Sequence, residues 1–163
     1  MEFDEEILKD FLIEVKEGIE RLEDGFIRLE RGEREVLKEL FRVMHSLKGA
    51  AGFFGFKALE QVAHASEDIL ARLRDGLIEP TDEIIDMLLK AVDYIKRIVK
   101  HIEDKKKEPI DDELLDFLIE LTTFSDKIVK KEETKGETKK ELLEEVEKKK
   151  KLKKEKRYNF ISS

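Results

Sequence analysis

The chain has 163 residues, of which 40% are hydrophobic and 45% are charged, and its formal net charge is −7. It contains no cysteine, which excludes disulfides and thiolate zinc sites, and no apolar run approaches the roughly 20 residues needed to cross a bilayer. The acidic N-terminus lacks the basic segment of a signal peptide. These features lead us to expect a cytoplasmic protein without membrane insertion. Few glycines and prolines, with abundant Glu, Lys, Leu and Ile, favour an all-α fold.

Three amphipathic helices are predicted in the first half of the chain from the spacing of apolar residues. They run from about Leu8 to Gly32, from Leu37 to the turn at 52–55, and from Leu59 to Gly76. Each helix is apolar along one stripe only, so each must bury that stripe against the others.

Two more helices follow. Thr81 can cap the fourth helix, which is expected to end at the charged segment 105–109. Asp111 or Asp112 can cap a fifth helix at about 110–130. Because short loops make sequence neighbours antiparallel, we expect an up-and-down four-helix bundle with an additional C-terminal helix. The bundle is expected to span 1–130, with its core in 1–105.

The C-terminal part has a different character and is expected to be a charged, flexible tail at 131–163. The segment 130–138 has no apolar residue and indicates a linker, while 141–157 is a lysine-dominated segment that is able to form a solvated helix. Residues 127–163 contain 14 basic and 8 acidic residues, whereas residues 1–126 contain 19 basic and 32 acidic residues. The acidic body argues against nucleic acid as a partner.

The second predicted helix carries a histidine in unusual surroundings. At about 100° per residue, His45 lies about 120° from the centre of the apolar stripe formed by Leu40, Met44 and Ala51, at the margin between core and solvent. Gly52, Gly49 and Lys48 lie about 20°, 40° and 60° from His45. Glycine inside a helix costs roughly 1 kcal/mol relative to alanine, so two of them here need a reason. Close approach of another macromolecule and tight packing of a neighbouring helix both explain them.

The third predicted helix carries a second histidine and a carboxylate. Glu67 falls at the edge of the apolar stripe, with His64 one turn before it, and antiparallel packing would bring Glu67 to the flank of His45. A carboxylate that accepts from Nδ1–H leaves Nε2 with a free lone pair, which makes a nucleophile. Taken without His45, the pair His64 and Glu67 is also consistent with an ordinary solvated pair. The remaining histidine, His101, is expected on the surface near a helix C-terminus.

The segment HSLKGAAGFFGF, which begins at His45, resembles the phosphoacceptor signature of histidine phosphotransfer (HPt) domains. Lysine and glycine follow the histidine by three and four residues, and a glycine-aromatic turn comes next. The further match at His64 and Glu67 is similar to the N-terminal phosphoacceptor (P1) domain of CheA-type chemotaxis histidine kinases. The resemblance covers about residues 1–105.

The resemblance implies the roles of the site residues. His45 is implied to accept a phosphoryl group on Nε2 and to donate it to an aspartate of a response regulator, in a two-component phosphorelay of chemotaxis. Glu67 is implied to hold Nδ1–H, Lys48 to help neutralise the phosphoryl charge, and His64 to belong to the same hydrogen-bonded cluster. Partner docking is expected over Gly49 and Gly52.

The resemblance also implies a monomeric phosphocarrier without catalysis of its own. The chain has no Walker A loop and no glycine-rich ATP motif after a strand, so the ATP-binding domain of the histidine kinase is expected in trans or on another part of a longer protein. No cofactor is expected to be bound permanently. ATP and Mg²⁺ are expected to be used by the kinase domain, and Mg²⁺ by the receiver domain of the response regulator.

Three alternatives to this interpretation are open. The chain can be a free-standing HPt protein that relays between receiver domains. It can be a metal-binding bundle, with His45, His64 and Glu67 as ligands, although Lys48 would oppose a cation there. It can also be a catalytically silent interaction module, which leaves the glycines beside His45 unexplained.

Overall fold

A computed structural model describes residues 4–133 and 139–162, and within these ranges every regular element is helical. The helices are α1 (Glu5–Glu30), α2 (Leu37–Phe54), α3 (Lys57–Arg74), α4 (Asp82–Lys105), α5 (Asp112–Glu133) and α6 (Lys139–Ser162), with a short 3₁₀ turn at Arg34–Val36 before α2. The predicted all-α class is confirmed. The chain divides into two compact units, residues 1–129 and 130–163.

The ends of the helices follow local capping chemistry. Gly55 ends α2 in the left-handed conformation, with φ +75°, and the following amide, of Phe56, donates to the carbonyl of Ala51 at 2.9 Å, which is a Schellman motif. The Oγ1 of Thr81 accepts from the Ile84 amide at 3.3 Å and begins α4. These short-range signals explain why the predicted helix bounds lie within a few residues of the observed ones.

The N-terminus of α3 is capped by a residue far away in the chain. The preceding residue, Phe56, makes no side-chain cap. The Glu108 carboxylate instead accepts from the amides of Ala58 at 3.1 Å and Leu59 at 2.7 Å. Burial raises the pKa of Glu108 above its usual value, because it outweighs the α3 amides, which favour the ionised form. The loop between α4 and α5 therefore fixes the start of α3.

Helices α1 to α4 pack in a ring, in which α1 and α3 each contact both α2 and α4. The apolar stripes predicted from the sequence face the interior, where Leu22, Met44 and Ile69 are fully buried. At Gly25 the α1 backbone comes so close to α2 that an added Cβ would lie 2.5 Å from a methyl group of Leu40. Only glycine allows this close approach of α1 to α2 without a shift of the Leu40 side chain.

Helix α5 packs on the same unit by way of α3 and α4. The Oγ of Ser125 donates to the carbonyl of Ala65 at 3.3 Å, and the ring of Phe117 stacks on Tyr94 with centroids 4.0 Å apart. The Oδ1 of Asp111 accepts from the Leu114 amide at 2.9 Å, so Asp111, of the two candidates, is the cap.

The C-terminal unit differs from the expectation in one respect. Residues 131–133, expected in a linker, are helical and belong to α5, because Lys and Glu are good helix formers. Residues 134–138, the rest of that predicted linker, lie outside the described ranges. The solvated helix considered for 141–157 is present as part of α6, where side chains 144–156 are exposed apart from a half-buried Val146. No helix in the described part of the chain is long and apolar enough to cross a membrane.

Candidate functional site

His45 lies in the middle of α2, on the face that the sequence placed at the edge of the core. Its side chain is 62% exposed. The register of the antiparallel α2 and α3 brings residues of both helices to its flank, and the turn at Gly55 sets that register. One edge of the imidazole therefore faces α3 while much of the ring remains open to solvent.

Glu67 holds the protein-facing edge of the His45 ring. The carboxylate oxygen Oε1 lies 2.8 Å from Nδ1 of His45, and Glu67 is only 8% exposed. An ionised carboxylate can only accept hydrogen bonds, so Nδ1 must be the donor. In the neutral imidazole this leaves the lone pair on Nε2. The expected contact between Glu67 and His45 is present.

Lys48 contacts the other oxygen of the same carboxylate. Its Nζ lies 2.7 Å from Oε2 of Glu67, and its side chain is 28% exposed. The two opposite charges are in direct contact and favour the ionised form of the carboxylate. Burial by itself would raise the pKa of Glu67. The contacts with Lys48 and His45 have the opposite and larger combined effect, so the pKa lies below the usual glutamate value. The carboxylate is therefore ionised at neutral pH.

The two glycines beside His45 have free space above them. An added Cβ at Gly49 would meet nothing within 4 Å. At Gly52 it would lie 3.4 Å from Oε1 of Glu60, an ordinary contact with the end of a flexible side chain. Close packing of a neighbouring helix in the same chain therefore does not explain these glycines. Beyond them, Phe53 is 70% exposed, so a bare backbone surface with one large apolar side chain adjoins His45.

His64 does not join the cluster, which corrects the expectation for this residue. Its Nε2 lies 3.6 Å from Oδ2 of Asp68, one turn along α3, and its side chain is 61% exposed. The helical geometry gives the reason, since Asp68 lies about 40° from His64 around the helix whereas Glu67 lies about 60° away on the opposite side. Glu67 turns inward toward α2 and His64 turns out to solvent.

A site for a metal ion lacks a third ligand here. Within 4–133 and 139–162, no group of three or more His, Asp or Glu side chains is arranged to hold a metal ion. The cation that lies against Glu67 is the Lys48 ammonium. The His101 ring lies elsewhere, near the end of α4, where Nδ1 donates to the carbonyl of Lys107 at 2.7 Å.

Two residues at the site were not predicted as functional. The ring of Phe41, one turn before His45, stacks on the imidazole with centroids 5.9 Å apart, and the guanidinium of Arg74 lies 4.2 Å from the centroid of the Phe41 ring. The i, i+4 spacing of Phe41 and His45 was a usable signal. No local pattern indicates Arg74, because it comes from the end of another helix.

Comparison with known proteins identifies the family. The family model of the Hpt domain matches residues 6–123. The sensor histidine kinase CheAY of Helicobacter pylori is 36% identical over 102 residues, which are 61% of this chain and 13% of that protein. The chain thus corresponds to a small part of the curated relatives that it matches.

Two solved structures are similar to the chain. The CheA phosphotransferase domain from Thermotoga maritima is 35% identical with a TM-score of 0.59, over 63% of this chain and 99% of that one. The phosphorylated P1 domain of CheA3, solved in complex with CheY6 from R. sphaeroides, has a TM-score of 0.70 over 77% of this chain and 99% of that one. At 21% identity, the second likeness concerns the fold alone. With the match over residues 6–123, the chain belongs to the Hpt domain family.

Proposed function

We propose that the chain is a phosphocarrier in which Nε2 of His45 receives a phosphoryl group from the ATP-binding domain of a histidine kinase and passes it to an aspartate of a response regulator. The observation that carries this proposal is the 2.8 Å contact between Nδ1 of His45 and the buried Glu67 carboxylate, on a side chain that is 62% exposed. It leaves the nucleophilic nitrogen free at the surface, where two partners can reach it in turn.

The transfer balances with the groups at the site. The Nε2 lone pair attacks the γ-phosphorus of ATP held by the kinase, the N–P bond forms, and the bond to ADP breaks. The phosphorylated ring carries its proton on Nδ1 and gains positive charge, which the ionised Glu67 stabilises. An aspartate oxygen of the response regulator then attacks phosphorus, the N–P bond breaks, and its electron pair returns to Nε2. Mg²⁺ and ATP belong to the partner domains in this scheme.

Lys48 is proposed to neutralise part of the phosphoryl charge. Its ammonium has three donors, and the contact with Oε2 of Glu67 needs only one of them. It can therefore keep its contact with the carboxylate and still donate to a phosphoryl oxygen one helical turn from it. This gives Lys48 a function in the transferred state in addition to its function in the resting state.

The docking surface is proposed to be the outer face of α2 formed by Gly49, Gly52 and Phe53. A Cβ at Gly49 meets nothing within the chain, and Phe53 is 70% exposed, so this face offers close backbone approach and one apolar anchor. The R. sphaeroides P1 domain, which shares the fold, was solved in complex with a CheY protein. Relatives that are named chemotaxis protein CheA favour a chemotaxis pathway. The ring of α1 to α4, with α5 beside it, supports an up-and-down four-helix bundle as the scaffold.

The proposal is tested by labelling with a CheA-type kinase domain and radioactive ATP. The wild-type chain is expected to gain an acid-labile, alkali-stable phosphate, and His45→Gln is expected to lose it completely while keeping its helical circular dichroism. His101→Gln is the matched control and is expected to retain full labelling, because its ring lies near the end of α4. Undiminished labelling of His45→Gln would reject the assignment.

A further inference from the structure

The His45 ring has a second neighbour, distinct from the carboxylate that sets its tautomer. Phe41 lies four residues earlier on α2, and its ring is nearly parallel to the imidazole, at 18°, with centroids 5.9 Å apart. Phe41 is half-buried and packs against the core. The imidazole therefore has an offset, nearly parallel aromatic ring beside it on α2 and the Glu67 carboxylate at its edge.

Arg74 fixes the Phe41 ring from α3. Its guanidinium lies 4.2 Å from the Phe41 centroid, a cation–π distance. The guanidinium is itself oriented by Asp75, with Nε donating to Oδ1 at 3.0 Å. The same contact with Arg74 lowers the pKa of Asp75 and keeps it ionised. A chain of contacts thus runs from Asp75 through Arg74 and Phe41 to His45.

The two contacts on His45 constrain different motions. The hydrogen bond from Nδ1 to Glu67 fixes one edge of the ring but still allows the ring to tilt about that bond. The terminal torsion of a histidine side chain has a broad preference and does not fix the plane by itself. A parallel aromatic face limits this tilt. Since the Nε2 lone pair lies in the ring plane, holding the plane also sets the direction in which Nε2 can attack.

We propose that Phe41, held by Arg74, is a positioning residue that aligns the imidazole plane of His45 for phosphoryl transfer. This inference rests on the proposed function for its effect on phosphoryl transfer, whereas the ring contact itself is present without any partner. Phe41 touches neither phosphate nor ATP in this scheme. It acts only through the orientation of His45, and a merely structural role would leave that orientation unchanged.

Ring motion provides the most direct test. Relaxation of the imidazole ¹³C–¹H bonds in the full chain reports the order of the His45 ring, and ¹⁵N shifts report its tautomer. Phe41→Leu is expected to lower the ring order while Nδ1 keeps its proton, because Glu67 is untouched. Phe41→Tyr keeps an aromatic face and is expected to restore wild-type order. Unchanged order in Phe41→Leu would overturn the proposal, as would equal loss in both variants.

The rate of phosphorylation is the second readout, with phosphoramidate as a small donor and a CheA-type kinase domain as a large one. If the activation barrier rises by the usual energy of one aromatic pair, the phosphorylation rate of Phe41→Leu should fall about 2- to 10-fold with both donors. With the kinase the loss should fall on kcat and leave KM unchanged. Arg74→Met, which keeps the aliphatic stem and removes the cation, should show a smaller loss of rate and ring order, and Arg74→Lys should recover part of it.

A matched control separates positioning from stability. Phe124 on α5 is also half-buried against the core and has no ring contact with His45, so Phe124→Leu should lower the urea midpoint without changing ring order or rate. An equal rate loss in Phe124→Leu would show that destabilisation explains the effect, and would overturn the proposal. If the wild-type chain accepts no phosphate, the proposed function fails, while the ring-order measurement still decides whether Phe41 holds the imidazole.

Discussion

Replacing Glu67 by glutamine tests whether the carboxylate sets the tautomer of His45. The amide is almost the same size as the carboxylate, so the buried site remains filled. The two ends of the amide are no longer equivalent, however. The Lys48 ammonium lies 2.7 Å from Oε2 and repels an NH₂ group, so the amide oxygen is expected to turn toward Lys48. The NH₂ group then faces Nδ1 of His45.

That orientation reverses the tautomer. An NH₂ group donates to Nδ1, which must then carry its lone pair, and in the neutral ring the proton moves to Nε2. Hydrogen bonds to charged groups contribute about 1.5–3 kcal/mol, and 1.4 kcal/mol corresponds to a factor of 10. Loss of the contact between Nδ1–H and the carboxylate, 2.8 Å long in the wild-type chain, should therefore slow phosphorylation about 10- to 100-fold. Lys48→Ala should also slow it, through lost charge stabilisation.

Two measurements check this reasoning. The rate constant for labelling at saturating kinase should fall by the stated factor in Glu67→Gln, and ¹⁵N shifts should show the proton on Nε2 of His45 instead of Nδ1. Asp68→Asn is the matched control, since it neutralises the adjacent carboxylate of α3, which pairs with the exposed His64, and it should react at the wild-type rate. A wild-type rate in Glu67→Gln would refute the role of Glu67, even if His45 remains the acceptor.

Three further predictions concern docking, stability and the C-terminal unit. Gly49→Leu fills a position that is open within the chain, so it should raise the melting temperature through helix propensity and yet slow transfer to a receiver domain; stabilisation without slower transfer would argue against docking on this face. Glu108→Ala removes the acceptor of two α3 amides and should cost about 1–2 kcal/mol in urea unfolding, with Glu108→Gln losing less; no loss would mean that water replaces the cap. A chain ending at Glu133, the last residue of α5, should keep its labelling rate and melting temperature; a large loss of either would show that α6 supports the bundle.

Residues close together in the sequence gave the most reliable predictions. As expected, α2 ends at Gly55 and α4 begins after Thr81. A left-handed helix C-terminus and a hydroxyl cap each depend on contacts over only two to four residues. The approach of Glu67 to His45 followed from one topological assumption, that consecutive helices pack antiparallel. Where a contact required only helical periodicity and one short turn, the sequence was sufficient.

Contacts that span many residues were not predictable in the same way. Glu108 caps α3 from a position about 50 residues later, and no pattern near either segment indicates the pair. The assignment of His64 to the cluster failed for a related reason. Periodicity places His64 and Glu67 on one side of α3, but it cannot tell which of them faces α2. In the structure Glu67 points inward and is 8% exposed. His64 points outward and contacts its neighbour Asp68.

The site depends on the register between α2 and α3 more than on any single side chain. Phe41 and His45 lie one turn apart on α2, while Glu67 and Arg74 lie two turns apart on α3, about 20° from each other around that helix. Both members of the α3 pair therefore reach α2 on one face, and a shift of α3 by one residue would move both by about 100°. The turn at Gly55 and the cap by Glu108 fix the start of α3 against such a shift. Because the tautomer contact and the ring contact of His45 both come from this pair of helices, the cap at Glu108, although remote from the imidazole, helps to hold its geometry.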